Sequence, residues 1–235
     1  MVWFQYVRAV AAGLAICLTA GAASADMVVV RVKGGTSLKP GQVVATGAAV
    51  TLPADSHAVF LSRDGRTVTL AGPYSGMVAE PAGGSPGGDP KTVSVLSRLI
   101  TASNADSSAL GVTRAGMFSS PYAIAMSGGP HCQVPSEKVR FERELGSPEE
   151  RITILSAGGA GAKSVWAEGE ALLDWPAKLP FAEGDYTIGS NDRPKPVKLT
   201  VKLVPAEIKT PGAIAIWMAE HDCTNQASRL LAELR

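Results

Sequence analysis

The sequence predicts a mainly β protein: a first β unit at 27–115, a second small β unit from 118, and a C-terminal αα-hairpin within 118–235. Short segments in which apolar and polar residues alternate recur along most of the chain. Turn residues separate these segments about every ten positions, and the chain has 25 Gly and 16 Pro. Helical periodicity is strongest near the end. These observations favour sheets and turns over long helices.

Residues 1–25 have the pattern of a cleavable secretory signal. Arg8 supplies one positive charge, 9–22 is an apolar run, and Ala23-Ser24-Ala25 is the small-x-small pattern before a cleavage position at Asp26. The run is shorter than the roughly 20 residues of a spanning helix. We therefore expect export to the bacterial periplasm, removal of the signal, and no stable membrane insertion afterwards.

The charge balance argues against nucleic acid as a partner. The chain has 22 Lys and Arg against 21 Asp and Glu, and Arg8 leaves with the predicted signal, so the two numbers become equal. Binding to phosphates needs a clustered positive field. We predict no nucleic-acid partner.

Strands are predicted in the first unit at 27–32, 43–45, 57–61 and 67–70. The dipeptide Asp64-Gly65 between the last two segments is typical of a tight hairpin. The spacing indicates an all-β unit.

A low-complexity tract, 81–90 (PAGGSPGGDP), follows these strands and is predicted to be flexible. Asp89 and Pro90 then have the cap and first-turn residue types that start a helix. Apolar residues at 93, 96, 99 and 100 predict a short amphipathic helix over 91–100 that lies on the β unit. The polar stretch 101–108 is expected to lead to the second unit.

Alternation returns in the second unit at 139–141, 152–154 and 171–173, and most clearly at 197–203. The lysines of the last segment are expected to be a solvated sheet face. Thr210-Pro211 predicts the start of a helix with Ile214, Trp217 and Met218 inward. A last amphipathic helix has its apolar residues at 227, 230, 231 and 234. Together the two helices predict a hairpin that closes the second unit.

Beyond the signal, Cys132 and Cys223 remain as an even pair in an oxidising compartment. We predict a disulfide that ties the C-terminal hairpin to the β region. A metal site is an alternative, because His131 and His221 lie close to the cysteines in sequence, but adjacent His-Cys pairs are poor chelates. Two free thiols are the other alternative.

Three further patterns attract functional interpretations that we do not favour. Residues 157–164 (AGGAGAKS) superficially resemble a phosphate loop, but alanine occupies both required glycine positions, so a strand connection is expected. Tryptophans at 166, 175 and 217 could line a glycan or ligand groove, yet core anchoring is the better interpretation. His57 beside Ser56 gives no supported nucleophile arrangement. We predict no catalytic residue, no metal ligand and no cofactor, and a protein that is not an enzyme.

Residues 28–79 contain a recurring set of turn glycines and inward aliphatics. They are Leu38-x-Pro40-Gly41-Gln42-x-Val44, Gly47-x-x-Val50, Ser56-x-x-Val59-x-Leu61, Asp64-Gly65, Val68-x-Leu70 and Ser75. This set resembles the FecR-like domain of bacterial iron-citrate regulators. The resemblance implies a compact β roll or short solenoid that serves interaction in envelope signalling. The family's anti-sigma segment has no counterpart in the eight residues before the apolar run, so that role is not carried over.

The function expected from these observations is a non-catalytic periplasmic protein-interaction module in envelope signalling, whose FecR-like unit presents a surface to another envelope or periplasmic protein. The alternative is a periplasmic protein that binds a small molecule or glycan through the second unit.

Overall fold

The computed structural model describes residues 26–79, 90–109 and 120–234. The predicted signal at 1–25 and all but the last residue of the tract 81–90 lie outside these ranges, as does 110–119. The described chain is mainly β, as predicted.

The first unit consists of two antiparallel sheets. Its strands are β1 (Asp26–Lys33), β2 (Val43–Ala45), β3 (Ala49–Leu52), β4 (His57–Leu61), β5 (Thr67–Ala71) and β6 (Tyr74–Met77). Four strands pair in the order β2-β1-β4-β5, and β3 pairs with β6. The Asp64-Gly65 turn joins β4 to β5 as expected, since Ser62 closes the turn through its backbone and Gly65 has a φ of 79°.

Strand β1 is buried on both faces, which explains why its sequence is a continuous apolar run. Met27 and Val29 pack with Phe60 and Leu52 in the core of the first unit. The alternate residues Val28 and Val30 face the opposite way. They enter a second core that is formed mainly by helices.

The first helix, α1 (Pro90–Ala109), is longer than the predicted 91–100. Its apolar face packs on β1, and Leu96 and Ile100 are fully buried there. The helix continues through the polar stretch because 101–109 contains neither Gly nor Pro, the two residue types that most strongly oppose a helix.

The second unit has two facing sheets. Its strands are β7 (Ile124–Ala125), β8 (Gly129–Gln133), β9 (Arg140–Glu142), β10 (Glu150–Ser156), β11 (Gly161–Trp166), β12 (Leu172–Asp174), β13 (Gly184–Ser190) and β14 (Val197–Leu203). Five strands pair in the order β11-β10-β13-β14-β8, in which only β8 and β14 are parallel. The three-stranded sheet β12-β9-β7 covers one face, and Phe141, Trp166 and Ile188 fill the core between the sheets.

Two antiparallel helices end the described chain: α2 (Pro211–Glu220) and α3 (Thr224–Glu233). Thr210 caps α2, since its hydroxyl oxygen accepts a hydrogen bond from the backbone N–H of Ala213 at 3.3 Å. Gly212 and Gly65 lie so close that a side chain at either position would meet backbone atoms at 2.1–2.2 Å. The start of α2 therefore packs directly on the β4–β5 turn.

The hairpin was expected to close the second unit, and the structure shows that it packs against the first unit as well. Its apolar residues share one core with β1 and α1. On the polar side, the Thr92 hydroxyl of α1 donates to the Glu220 carboxylate of α2 at 2.5 Å. The reason is visible in α2, which is apolar on most sides, so one covering surface is not enough to bury it.

None of the helices in the described ranges combines the length and the apolar character that crossing a membrane would require.

Candidate interaction surface

Cys132 on β8 and Cys223 before α3 are joined by a disulfide, with sulfur atoms 2.06 Å apart and both residues buried. The pairing is the one predicted from the sequence. Lys202 of β14 stabilises the same turn, because its ammonium donates to the His221 carbonyl at 2.8 Å and lies 3.8 Å from the Asp222 carboxylate. The lysine face of β14 is therefore only partly a solvated surface.

The two histidines near the cysteines do not assemble a metal site. Strand alternation directs His131 and Cys132 to opposite faces of β8. The His131 ring nitrogen Nε2 lies 3.2 Å from the Gln133 amide oxygen, and the His221 ring stacks on Trp217 with centroids 3.9 Å apart. Within the described residues, no group of three or more His, Cys, Asp or Glu could hold a metal ion.

The aromatic residues of the second unit form a packed core. Trp166 has no exposed surface. Trp175 stacks on Phe141 at 5.3 Å and meets Tyr186 edge-on at 5.2 Å, while its indole N–H donates to the Leu179 carbonyl. Core anchoring, the preferred interpretation, accounts for these rings. The ligand-binding alternative therefore loses the Trp166 ring as a binding group.

The first half of the segment that resembles a phosphate loop, 157–160, is the turn between β10 and β11, whereas 161–164 are the first residues of β11. Ser156 N–H donates to the Ala160 carbonyl at 2.8 Å, and Gly159 N–H donates to the Ser156 carbonyl at 2.9 Å. Gly159 has a φ of 85°, which favours glycine. A strand follows the turn, so the helix N-terminus that a phosphate loop needs is not formed there.

Ser56 and His57, the other pair considered for chemistry, do not form a nucleophile and base. The Ser56 hydroxyl donates to the Pro53 carbonyl at 2.7 Å and Ser56 is buried. His57 begins β4 and pairs with Ala71 across the sheet.

A buried ionic cluster lies at one end of the five-stranded sheet. The Arg143 guanidinium lies 3.5 Å from one Glu150 carboxylate oxygen, and Arg193 Nε lies 3.2 Å from the other. Arg143 also stacks over the Trp166 ring at 4.6 Å and donates to the carbonyls of Pro148 and Ala167. These contacts satisfy the loop carbonyls around the sheet. The cluster is structural, and sequence analysis did not identify it.

The five-stranded sheet has two edges, and one of them is covered. Helix α3 lies along β8, where the Gln226 amide oxygen accepts from the Cys132 N–H at 2.7 Å and the Gln226 amide nitrogen donates to the Cys132 carbonyl at 3.1 Å. The amide nitrogen also donates to the Pro121 carbonyl. Gln226 thus satisfies both backbone groups of an edge residue as a neighbouring strand would.

The other edge, β11, has a neighbouring strand on one side only within the described ranges. Antiparallel pairs alternate between hydrogen-bonded and non-hydrogen-bonded. Since Ser156 and Ala160 are a bonded pair, so are Ile154 with Ala162 and Ile152 with Ser164. The intervening residues Lys163 and Val165 therefore direct their backbone N–H and C=O groups away from β10, toward the open edge.

An open groove of about 580 Å³ runs beside this edge on the outer face of the sheet. Residues from β10, β11 and β13 and the residue after β13 line it, and Gly189 contributes no side chain to its floor. Lys163 and Arg151 lie at its sides. Large apolar side chains are exposed along the same face, since Val165 is 55% and Leu155 is 47% exposed.

Sequence analysis did not predict this groove, although Lys163 and Ser164, which line it, lie in the segment that resembles a phosphate loop. The available signal was Leu155, which directly follows Ile154 and so breaks the alternation that would leave a polar outer face. In the first unit, where an interaction surface was expected, Val43 on edge strand β2 is 44% exposed and Met77 on β6 is 69% exposed.

In comparisons with known proteins, no protein-family model matches the chain, and no curated protein matches it either.

Proposed function

We propose that this protein is an exported, non-catalytic protein-interaction module of the bacterial periplasm that belongs to the FecR-like group of envelope proteins. Its partner is another envelope or periplasmic protein. The signal-like pattern of 1–25 and the buried Cys132–Cys223 disulfide support the compartment, because disulfides persist where the surroundings are oxidising.

The observation that carries the proposal is the exposure of large apolar side chains on edge strands. Val43 lies on edge strand β2 in the first unit, and Val165 lies on edge strand β11 in the second. An edge strand offers unpaired backbone groups to another chain, and natural proteins usually protect such edges with charge, proline or a covering element. Exposed valines there favour a surface that another protein covers.

Site-specific photocrosslinking in the periplasm tests this function. The full chain is expressed in a Gram-negative host with a photoreactive amino acid at Val43, at Val165, or at the exposed loop residue Lys209 as control. Fractionation first establishes that the protein reaches the periplasm.

We expect a reproducible crosslinked envelope protein from at least one edge-strand position and none from Lys209. Crosslinks that are equally weak at all three positions, in a properly exported protein, would remove the basis of the proposal. A change in tryptophan fluorescence on addition of a small molecule or glycan, without any crosslink, would favour the ligand-binding alternative.

A further inference from the structure

We propose that the open edge of β11 binds an extended segment of a partner protein as a sixth strand, and that this segment carries an acidic side chain two residues from an apolar one. The inference rests on the proposed function and specifies where the partner binds and by what chemistry. Strand addition supplies affinity through backbone hydrogen bonds, and side chains on one face supply specificity.

The backbone of β11 is suited to this role. Lys163 and Val165 direct two N–H and two C=O groups outward, and no strand of the described chain pairs with them. The opposite edge is unavailable, because Gln226 already bonds both backbone groups of Cys132. Addition of a strand is therefore possible at one end of this sheet and blocked at the other.

The side chains beside the edge define which segment fits. Lys163 forms no ion pair with any carboxylate of the described residues. The other basic residue that lines the groove, Arg151, forms an ion pair at 3.5 Å with Glu149, and both side chains are exposed. An acidic residue opposite Lys163 would form an ion pair with its ammonium group, and an apolar residue opposite Val165 would cover an exposed side chain. Positions 163 and 165 are two apart, so their partners are also two apart.

A second copy of this chain does not fit as well. Strand β11 reads GAKSVW and contains no acidic residue, so a β11–β11 pair cannot place a carboxylate opposite Lys163. A β11–β11 dimer is therefore disfavoured, and the occupant that we propose is a segment of a different protein. Analytical ultracentrifugation of the purified protein checks this point, and a dimer abolished by Lys163→Glu would overturn the choice of partner.

The probe is a set of capped nine-residue peptides in which threonine alternates with valine. One member has glutamate two residues after a valine, and its matched relatives have glutamine or lysine at that position. Binding to the mature, disulfide-bonded protein is measured by fluorescence anisotropy with a labelled peptide. We expect the glutamate peptide to bind about threefold to tenfold more tightly than the lysine peptide.

Three test variants and two control variants separate the contributions. Lys163→Glu should reverse the peptide preference, whereas Lys198→Glu, on the same outer face but outside the groove, should leave it unchanged. Val165→Pro removes an outward N–H without breaking the β10–β11 ladder, and it should lower the affinity for every peptide about tenfold. Val165→Thr keeps that N–H donor and is the matched control. Gly189→Val places a side chain in the groove and should weaken the binding of every peptide; its Cβ has room, since the nearest atom is the Thr153 backbone oxygen at 4.0 Å.

The inference is overturned if the glutamate and lysine peptides bind equally, or if Val165→Pro, folded as judged by its unfolding midpoint, binds as the parent does. Absence of binding by every peptide also overturns it. The proposed function survives these results if photocrosslinking at Val43 still captures an envelope protein, so the two failures are distinguishable.

Discussion

Two ion pairs of equal length in this protein should differ greatly in what they contribute to stability. Arg143 and Glu150 lie 3.5 Å apart with side chains 4% and 6% exposed. Arg151 and Glu149 also lie 3.5 Å apart, but their side chains are 75% and 53% exposed. We predict that Arg143→Met lowers the free energy of unfolding by about 3–5 kcal/mol, whereas Arg151→Met changes it by about 0.5 kcal/mol or less.

The difference follows from what each substitution leaves behind. Without Arg143, the buried Glu150 carboxylate keeps Arg193 at 3.2 Å and the hydrogen bond from the Ser190 hydroxyl, but both of these contacts are to Oε1, and Oε2 loses its cation. The carbonyls of Pro148 and Ala167 lose donors at 2.7 and 2.5 Å, but both residues are exposed, so water replaces these donors and the loss comes mainly from the weakened pairing of the buried Glu150 charge. Removing Arg151 leaves Glu149 in water, where solvent replaces the lost partner.

The assay is urea unfolding followed by tryptophan fluorescence, since Trp166 lies under the Arg143 guanidinium. The double variant Arg143→Met with Glu150→Gln should be more stable than the sum of the single losses predicts, by roughly 0.5–3 kcal/mol, because the unpaired buried charge is gone. Equal losses for Arg143→Met and Arg151→Met would refute the argument that burial decides the contribution of these pairs.

Three further predictions concern the region around the disulfide. The double variant Cys132→Ala, Cys223→Ala should have a free energy of unfolding lower by up to about 4–5 kcal/mol, because the disulfide spans 91 residues. Hydrogen exchange should nevertheless show that the helical hairpin opens together with the sheets, and earlier exchange of the hairpin would contradict its placement in a shared core. Gln226→Leu should cost about 2–3 kcal/mol and speed amide exchange at Cys132, whereas Asn225→Leu, exposed next to it, should do neither. Burial lowers the pKa of His131 from 6.5 to about 4, so the unfolded chain binds the proton at a higher pH than the folded chain, and the free energy of unfolding should fall as the pH drops from about 6.5 to 4. Urea unfolding at both pH values should show a decrease up to about 3 kcal/mol larger in the parent than in His131→Gln, and equal decreases would contradict this assignment.

Strands β3, β7, β8, β11 and β13 were not predicted from the sequence. The strands that were predicted, such as β1, β4, β5 and β14, each carry their own local signal. Turn residues bound them, and Asp64-Gly65 joins β4 to β5 as such a dipeptide normally does. The burial of both faces of β1 was also present in its sequence, as an apolar run without alternation. That run shows that two surfaces cover the strand, but not which elements supply them.

The position of the helical hairpin could not be read in the same way. Periodicity identified an inward face on α2 with Ile214 and Met218, yet Ala215 and Ile216 are buried as well. A helix that is apolar on most sides must be covered on most sides. One of the covering surfaces belongs to β1 and α1, more than a hundred residues earlier in the chain, and no local pattern encodes that contact.

Charged residues were the least predictable part. The segment FERELGSPEER looks like a solvated loop, but Arg143 and Glu150 within it are buried, while Glu149 and Arg151 are not. Burial of Glu150 depends on Ser190, which ends β13, and on Arg193 in the loop that follows. Residue type alone therefore could not separate the structural ion pair from the exposed one.

The same reasoning explains why the two edges of the five-stranded sheet were indistinguishable in sequence. Strand β8 contains Cys132 and strand β11 contains Val165, and both look like ordinary short strands. What closes the first edge is a glutamine on α3, which is 94 residues away from Cys132. What leaves the second edge open within the described chain is that no comparable element reaches it. The protection of β8 requires a glutamine side chain placed by a distant helix and two hydrogen bonds to one backbone residue, and no local pattern in either strand encodes that contact.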